Sequence, residues 1–236
     1  MAETLSIIIP AYNEGANLTD VLGKVERVVL PYGVGKEIIV VDDGSTDDTV
    51  AQADAFIASH PQARIVLLRH PANKGKGMAI RTALPAVGGD FVVIQDADGE
   101  LDPNDFAIML RKLVDENLPV VYGSRFMRSG GRCGSRFFYF GNRFLSAMVN
   151  LLYGQHITDE ATCYKMFRTP LLKSVPLQCR GFEFCPEVTA KIARRGIKIS
   201  EVPISYFPRT REQGKKVRLR DGLTAVWCLL KNRFAR

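Results

Sequence analysis

Histidine is nearly missing from this chain: His60, His70 and His156 are all it has, and none lies in the acidic or glycine-rich segments described below. Chemistry that depends on an imidazole base has little to draw on. Cys133, Cys163, Cys179, Cys185 and Cys228 are odd in number and scattered without a CxxC spacing. That pattern speaks against a disulfide framework or a zinc site and fits reduced thiols with structural roles only. No apolar run approaches the roughly eighteen residues of a spanning helix, and Met1 to Ser6 lacks the charged start and apolar core of a signal peptide. The sequence therefore predicts a cytoplasmic protein. Net charge is absent from most of the chain: residues 1–204 carry 23 basic and 23 acidic side chains, and the formal +7 comes entirely from residues 205–236. That last segment must face something anionic, whether phosphates, a membrane surface or nucleic acid.

What is present is ordinary globular material, 236 residues with 46% hydrophobic and 24% charged, enough for one α/β domain. Its focus is the stretch from Gly89 to Pro103. Phe91-Val92-Val93-Ile94 reads as a buried parallel strand, and Gln95-Asp96-Ala97-Asp98-Gly99-Glu100 follows at once. Ligands of open α/β sheets bind outside the carboxyl ends of the strands, which puts Asp96 and Asp98 at the lip of a cleft. Two carboxylates one residue apart can point at one hard cation holding a diphosphate; the alternative is an Asp-rich turn capping a helix that starts near Pro103.

The segments before it repeat the plan. Leu5 to Ile9 is a strand, Pro10-Ala11-Tyr12-Asn13-Glu14 breaks it, and an amphipathic helix runs from about Ala16 to Val29. Tyr12 offers a flat face to a base, and Asn13 and Glu14 offer hydrogen bonds to base or ribose, unless the three merely turn the chain and cap the helix. A second strand, Glu37 to Val41, ends in Asp42-Asp43-Gly44-Ser45-Thr46-Asp47-Asp48 before a helix over Thr49 to Ser59. Asp47 and Asp48 fall in its first turn and read as caps. Asp42 and Asp43 come earlier, where a carboxylate can accept from a base N–H. A third strand, Arg64 to Leu68, leads to Asn73-Lys74-Gly75-Lys76-Gly77 and a helix from about Met78. The P-loop spacing is absent, so this is either a general anion-facing loop or a plain turn.

PAYNE, VVDDGSTDDT, NKGKGMA and QDADGELDP in this order resemble glycosyltransferase family 2, and more narrowly the dolichyl-phosphate mannose and glucose synthases. The resemblance continues through Gly123-Ser124-Arg125-Phe126, through Thr158 to Lys165, and through Gly181 to Phe184 with Glu201 to Ile204. It implies a GT-A, Rossmann-like fold: a mostly parallel sheet flanked by helices, ending in an amphipathic helix. A single domain would span residues 1–236, with 1–100 as the nucleotide-sugar half, 101–204 as the acceptor half, and 205–236 as a basic loop and terminal helix.

By resemblance, Pro10, Tyr12, Glu14, Asp42, Lys74 and Asp96 would bind the nucleotide. Asp96, Asp98 and Glu100 would hold Mg²⁺ or Mn²⁺. Asp98, Arg125 and Asp159 would form the catalytic group, and Arg125, Arg209, Lys215 and Lys216 would meet the acceptor phosphate. The implied reaction is inverting transfer of a sugar from GDP-mannose, UDP-glucose or UDP-N-acetylglucosamine to a polyprenyl monophosphate, dolichyl or undecaprenyl. DADG matches the glucose-type synthases and Glu100 the mannose-type third polar residue, while DEATCYK departs from both, so the donor sugar stays open. A phosphate monoester is largely dianionic near neutral pH, its second pKa being about 6, and needs no general base. That agrees with the shortage of histidine. The competing reading is a hydroxyl acceptor, for which Asp159 or Glu160 would have to be the base. A nucleic-acid-binding protein is a poor third, because acidic loops repel a phosphate backbone and the basic tail has few stacking aromatics.

Two helices point to a lipid partner. Ser135 to Tyr153 carries Phe137, Phe138, Phe140, Phe144, Leu145, Met148, Val149, Leu151 and Leu152, edged by Arg132, Arg136 and Arg143. Too short to span, it is either a core helix or an interfacial one. Leu219 to Phe234 places Leu223, Val226, Trp227, Leu230 and Phe234 on one stripe beside Lys231 and Arg233, packed on the domain or laid on anionic lipid. The expectation is peripheral attachment at the inner, cytoplasmic membrane face, direct or through a membrane-anchored partner, and no nucleic acid.

Overall fold

The computed structural model describes residues 3–127, 136–209 and 219–234, with the backbone alone for residues 136–138 and 219. Strands and helices alternate at first: β1 (Thr4–Ala11), α1 (Gly15–Arg27), β2 (Gly35–Asp42), α2 (Thr49–Ser59), β3 (Ile65–Arg69), α3 (Lys76–Ala83), β4 (Phe91–Ile94), α4 (Phe106–Asp115) and β5 (Val120–Ser124). The remainder is α5 (Arg136–Tyr153), β6 (Lys165–Arg168), α6 (Thr169–Ser174), α7 (Phe184–Arg194), β7 (Ser200–Pro203) and α8 (Leu219–Phe234). The strands form one sheet in the order β3-β2-β1-β4-β6-β5-β7. Only β6 runs against its neighbours; the other pairings are parallel.

The continuous apolar runs follow from burial on both faces. Ile7, Ile8 and Ile9 are all fully buried. Ile7 and Ile9 face Leu18 and Leu22 of α1 and Phe106 and Leu110 of α4. Ile8, one residue out of phase, faces Ile80 of α3 and the layer built by α5, α7 and α8. Leu18, Val21, Leu22 and Val25 are the buried stripe of α1 at helical spacing.

Register sets the site. Ile8 pairs with Ile94, and Gln95 N donates to Ile8 O at 2.9 Å, so the turn after β1 and the acidic segment after β4 leave the sheet side by side. The turn after β2 lies next to them, since Ala11 pairs with Asp42. Near Pro103 the chain first makes a short 3₁₀ turn, Pro103–Asp105, capped by the Asp102 side chain on Asn104 N at 3.0 Å, and only then α4. On α8 the packed face is Ala225, Cys228 and Leu229, joined to α5 by Tyr153 Oη donating to Leu229 O at 2.5 Å. The stripe read from the sequence is offset from that face. Leu223, Trp227 and Phe234 are 67%, 66% and 72% exposed, in company with Phe140 and Phe144 of α5.

Candidate active site

Two turns are stitched together at the carboxyl edge. Thr46 N donates to Asn13 Oδ1 at 2.8 Å, Asn13 N to Ser45 Oγ at 2.9 Å, and Glu14 N to Thr49 Oγ1 at 2.9 Å. Asp47 caps two helices at once, accepting from Thr49 N at 3.0 Å and Gly15 N at 3.1 Å. Gly44 has φ of +73°, and a Cβ there would lie 2.5 Å from the Ala72 backbone, so only glycine lets this turn lie on the next loop. Asp43 braces that loop: its carboxylate accepts from Lys74 N at 2.9 Å and Gly75 N at 2.7 Å, and meets His70 Nδ1 at 2.6 Å.

These bonds revise the reading of the glycine-lysine loop. Gly77 N and Met78 N at the start of α3 donate to Gly181 O and Arg180 O, both at 3.0 Å, so the helix end is already satisfied by protein. Lys74 is exposed and does not line the cleft, whereas Lys76 does. Asp42 is also displaced from its expected role. It is 3% exposed, holds Ser45 N at 3.2 Å and is not among the residues lining the cleft, where Asp43 stands instead.

The acidic segment after β4 carries the electrostatics. Lys76 Nζ is bonded to Asp96 Oδ1 and lies 2.8 Å from Cys163 Sγ. Burial works against both charges of the pair, yet their attraction keeps the Lys76 ammonium above its usual range and the Asp96 carboxyl below its own. Asp98 behaves oppositely: burial, the charge of Asp96 and that of Glu100 push it up to about 7. Glu100 is engaged at both oxygens, accepting from Arg209 N at 2.7 Å and Tyr206 Oη at 3.0 Å. Arg209 then spans the cleft mouth, its Nε donating to Asp98 O at 2.7 Å and its Nη2 to Glu14 Oε2 at 2.9 Å.

Among the described residues no three His, Cys, Asp or Glu side chains are grouped as a metal-binding set. The donors still fit a hard cation in a narrower form. Asp98 sits in negative potential that a divalent ion would relieve, and Mg²⁺-type sites commonly use one or two carboxylates with substrate phosphates and water completing the shell. Asp98 and Asp96 would be those two, while Glu100 ties the Arg209 segment to the acidic loop.

Across the cleft, Arg125 is clasped by Asp159, with Nε to Oδ2 and Nη2 to Oδ1 both at 2.7 Å and its backbone N at 3.0 Å. Burial opposes the charge of Arg125, but Asp159 more than restores it. Its guanidinium lies over the Tyr206 ring at 5.2 Å. Asp159 is fully buried and is itself oriented by Glu201, which accepts from Asp159 N at 3.0 Å and Thr158 N at 2.7 Å. It therefore positions Arg125 and is not exposed as a base. Its neighbour Glu160 is fully buried with neither carboxyl oxygen hydrogen-bonded, and burial raises it to about 7.

The cleft measures about 790 Å³ and gathers Pro10, Tyr12, Glu14, Asp96, Asp98, Glu100, Arg125 and Arg209 from the expected set. Lys215 and Lys216 lie outside the described residues, as do Arg132 and the side chains of Arg136, Phe137 and Phe138. Sequence reading offered Lys74 and Lys76 together as cations of an anion-facing loop and assigned only Lys74 to the nucleotide, whereas Lys76 is the one that lines the cleft, and it gave Cys163 and Cys185 structural roles although both line the cavity. The cavity continues between Phe144 and Leu145 of α5 and Leu223 and Val226 of α8, where its wall meets the exposed apolar residues.

The family model described as Glycosyl transferase family 2 matches residues 6–175. The chain is 30% identical over 210 residues to Glycosyltransferase AglJ of Haloferax volcanii, covering 88% of this chain and 64% of that protein. It is 29% identical over 217 residues to Dolichyl-phosphate beta-glucosyltransferase ALG5A of Trichomonas vaginalis, covering 86% and 65%. The chain thus spans less than two thirds of the length of these relatives. Glucosyl-3-phosphoglycerate synthase from Mycobacterium tuberculosis, in complex with Mn²⁺ and UDP-glucose, superposes with a TM-score of 0.71 at 25% identity over 98% of this chain and 79% of that one. The sheet and its flanking helices, including the terminal helix, are those of the GT-A fold of these structural neighbours.

Proposed function

The chain belongs to glycosyl transferase family 2, and on that premise we propose that it transfers a hexose from a nucleotide-sugar to a polyprenyl monophosphate, with inversion at the anomeric carbon. The observation that carries the reading is one continuous cleft joining Asp96 and Asp98 at the carboxyl end of β4 to an apolar passage between α5 and α8. The first end suits a diphosphate, the second an isoprenoid chain. A dolichyl-phosphate glucosyltransferase among the relatives, and the UDP and Mn²⁺ or Mg²⁺ bound by structural neighbours, support the same assignment.

Tyr12 and Glu14 would receive base and ribose. Mg²⁺ or Mn²⁺ at Asp98 and Asp96 would take up the charge that grows on the leaving diphosphate. Arg125, held in one orientation by Asp159, is aimed to bind the acceptor phosphate and align its oxygen behind the anomeric carbon, a preorganised arrangement that needs no proton transfer. Arg209 would close over the same phosphates, with Lys215 and Lys216 following it in the chain. Attachment to a membrane would be peripheral, through the exposed apolar residues of α5 and α8; among the described residues no helix is long and apolar enough to cross a membrane.

A screen of radiolabelled UDP-glucose, UDP-N-acetylglucosamine and GDP-mannose, with polyprenyl phosphate in detergent and Mg²⁺ or Mn²⁺, tests this directly. Label is expected in the organic phase with wild type and not with Asp98→Ala. Release of nucleoside diphosphate without lipid-soluble label would overturn the lipid acceptor and leave the donor half standing.

A further inference from the structure

Among the described residues, Glu160 and Thr169 leave buried side-chain oxygens without a hydrogen-bond partner, and of the two only Glu160 lines the cleft. Both oxygens of its carboxyl are unmatched, a loss larger than the gain from a typical hydrogen bond. The main chain of the same residue is fully used: Glu160 N donates to Ser146 Oγ at 3.0 Å, and Glu160 O accepts from Lys165 Nζ at 2.7 Å. The residue is thus fixed in place with its polar end left over. Lys165 and Thr189 are near enough to favour its charged form, yet both are committed elsewhere. The Lys165 ammonium rests 3.7 Å from the centre of the Tyr122 ring, and Thr189 Oγ1 is bonded to Tyr122 Oη at 3.0 Å.

We propose that Glu160 is a specificity-determining residue for the donor, its carboxyl hydrogen-bonding hydroxyl groups of the hexose that is transferred. The inference rests on the proposed function, which it narrows to a donor whose sugar presents a free hydroxyl at this point of the cleft. A hydroxyl is the neutral group that suits a carboxyl in either state, donating to the carboxylate and accepting from the acid. Burial lifts Glu160 to about 7, so both states are populated near neutral pH. Other parts of the proposed substrates fit less well. A phosphate is repelled by the carboxylate, and an isoprenoid chain offers it no hydrogen bond.

Strand order decides which part of a nucleotide-sugar reaches Glu160. Tyr12 and Glu14 follow β1, Asp96 and Asp98 follow its neighbour β4, and Glu160 precedes β6 on the other side of β4. Because β6 runs antiparallel to β4, the residues before it arrive at the edge where β4 ends. Tyr164 Oη, donating to Gln95 Oε1 at 2.6 Å, ties the two segments together. A nucleotide with its base at Tyr12 and its diphosphate at Asp96 and Asp98 therefore extends its sugar toward Glu160. On the same side Asp159 holds Arg125, which leaves the hexose between the leaving diphosphate and the acceptor phosphate.

Calorimetry on the full chain with Mn²⁺ compares UDP and GDP with UDP-glucose, UDP-N-acetylglucosamine and GDP-mannose, and then with single-deoxy analogues of the donor that binds tightest. Glu160→Leu, close in size and unable to hydrogen-bond, should weaken that donor about tenfold or more while its parent nucleotide binds as to wild type. Glu160→Gln, which keeps one acceptor, should recover part of the loss. In wild type at least one deoxy analogue should lose as much as Glu160→Leu does, and in Glu160→Leu that same deletion should cost nothing further. Equal weakening of nucleotide and donor, or persistence of every deoxy penalty in Glu160→Leu, would overturn the inference. So would a donor affinity that neither variant moves. Should Glu160→Leu not fold, Glu160→Gln decides, and unchanged deoxy penalties in it overturn the inference. Wild type that binds no nucleotide removes the proposed function and this inference with it, whereas a donor bound with its sugar unread by Glu160 leaves the proposed function standing.

Discussion

Glu160 separates two roles that adjacency in sequence confuses. It and Asp159 were interchangeable candidates for a base, yet Asp159 gives both oxygens to Arg125 while Glu160 has no partner for either. Burial lifts the Glu160 carboxyl to about 7, well above its value in an unfolded chain, so the folded state favours the neutral acid. The resulting penalty is absent below about pH 4.5, grows as pH rises, and is complete above about pH 7, where it reaches roughly 3 kcal/mol. Glu160→Gln removes it. The variant should melt close to wild type at pH 5 and clearly above it at pH 8; a melting difference that is flat with pH would show that Glu160 is not titrating in the folded protein. Asp159→Asn tests the other carboxylate. Weakening a buried, bidentate partner of Arg125 should cost about 3 kcal/mol of stability and raise KM for a phosphate acceptor. Collapse of kcat with an unchanged melting temperature would instead return Asp159 to the role of base.

At the scale of elements, the strands and helices up to β4 were legible because their signals are local: apolar runs of four or five residues, each ending in acids or glycine before a periodic helix. Of Asp47 and Asp48, both read as caps within the first turn of α2, Asp47 holds Thr49 N from just before the helix, while Asp48 at the N-cap makes no side-chain cap bond. What was not legible depended on partners far along the chain. β6 has four residues and takes its place, antiparallel between β4 and β5, only from its neighbours. Lys76 enters the cleft and Lys74 leaves it because Asp43, His70 and the backbone of Arg180 and Gly181 fix the loop between them, and no spacing rule contains those contacts. The stripe on α8 was seen, but its direction was not, since Ala225, Cys228 and Leu229 are small or buried enough to pack closely and turn Trp227 outward. A prediction follows from that orientation. Trp227→Ala with Phe144→Ala removes two side chains 66% and 57% exposed, so stability should change little. Flotation with anionic vesicles should fall sharply, and added salt should weaken wild-type binding too, because Arg220, Lys231 and Arg233 each contribute about 1 kcal/mol near an anionic surface. Unchanged flotation of the double variant would remove α5 and α8 as the membrane contact.

Taken whole, the molecule is polarised along its cleft. Negative charge concentrates behind β4, where Asp96, Asp98 and Glu100 stand, and the cations Lys76, Arg125 and Arg209 ring it. All of the net charge follows Tyr206 in the chain, and that segment begins by pairing with the acidic loop, Leu101 bridging to Tyr206 and Phe207 N donating to Glu100 O at 2.8 Å. Arg209 is thereby tied to the acidic loop, which under the proposed function joins an acceptor-side cation to the donor-side acids. A phosphate drawn to Arg125 from the apolar end must bring a tail that tolerates Phe144, Leu145, Leu223 and Val226. Phosphate alone gains only the electrostatic part of that site, whereas an isoprenyl phosphate adds up to about 0.8 kcal/mol for each buried CH₂. Transfer to a short isoprenyl phosphate should therefore be readily detected where inorganic phosphate is inert. KM should fall as the first isoprene units are added and then level off once the chain outruns the passage between α5 and α8. Replacing Val226 with Asp, in the wall of that passage, should raise KM for isoprenyl phosphates while leaving the affinity for UDP unchanged. Equal use of a short polar phosphate and an isoprenyl phosphate would mean that the apolar passage does not hold the acceptor, and the tail would have to be sought elsewhere on the surface.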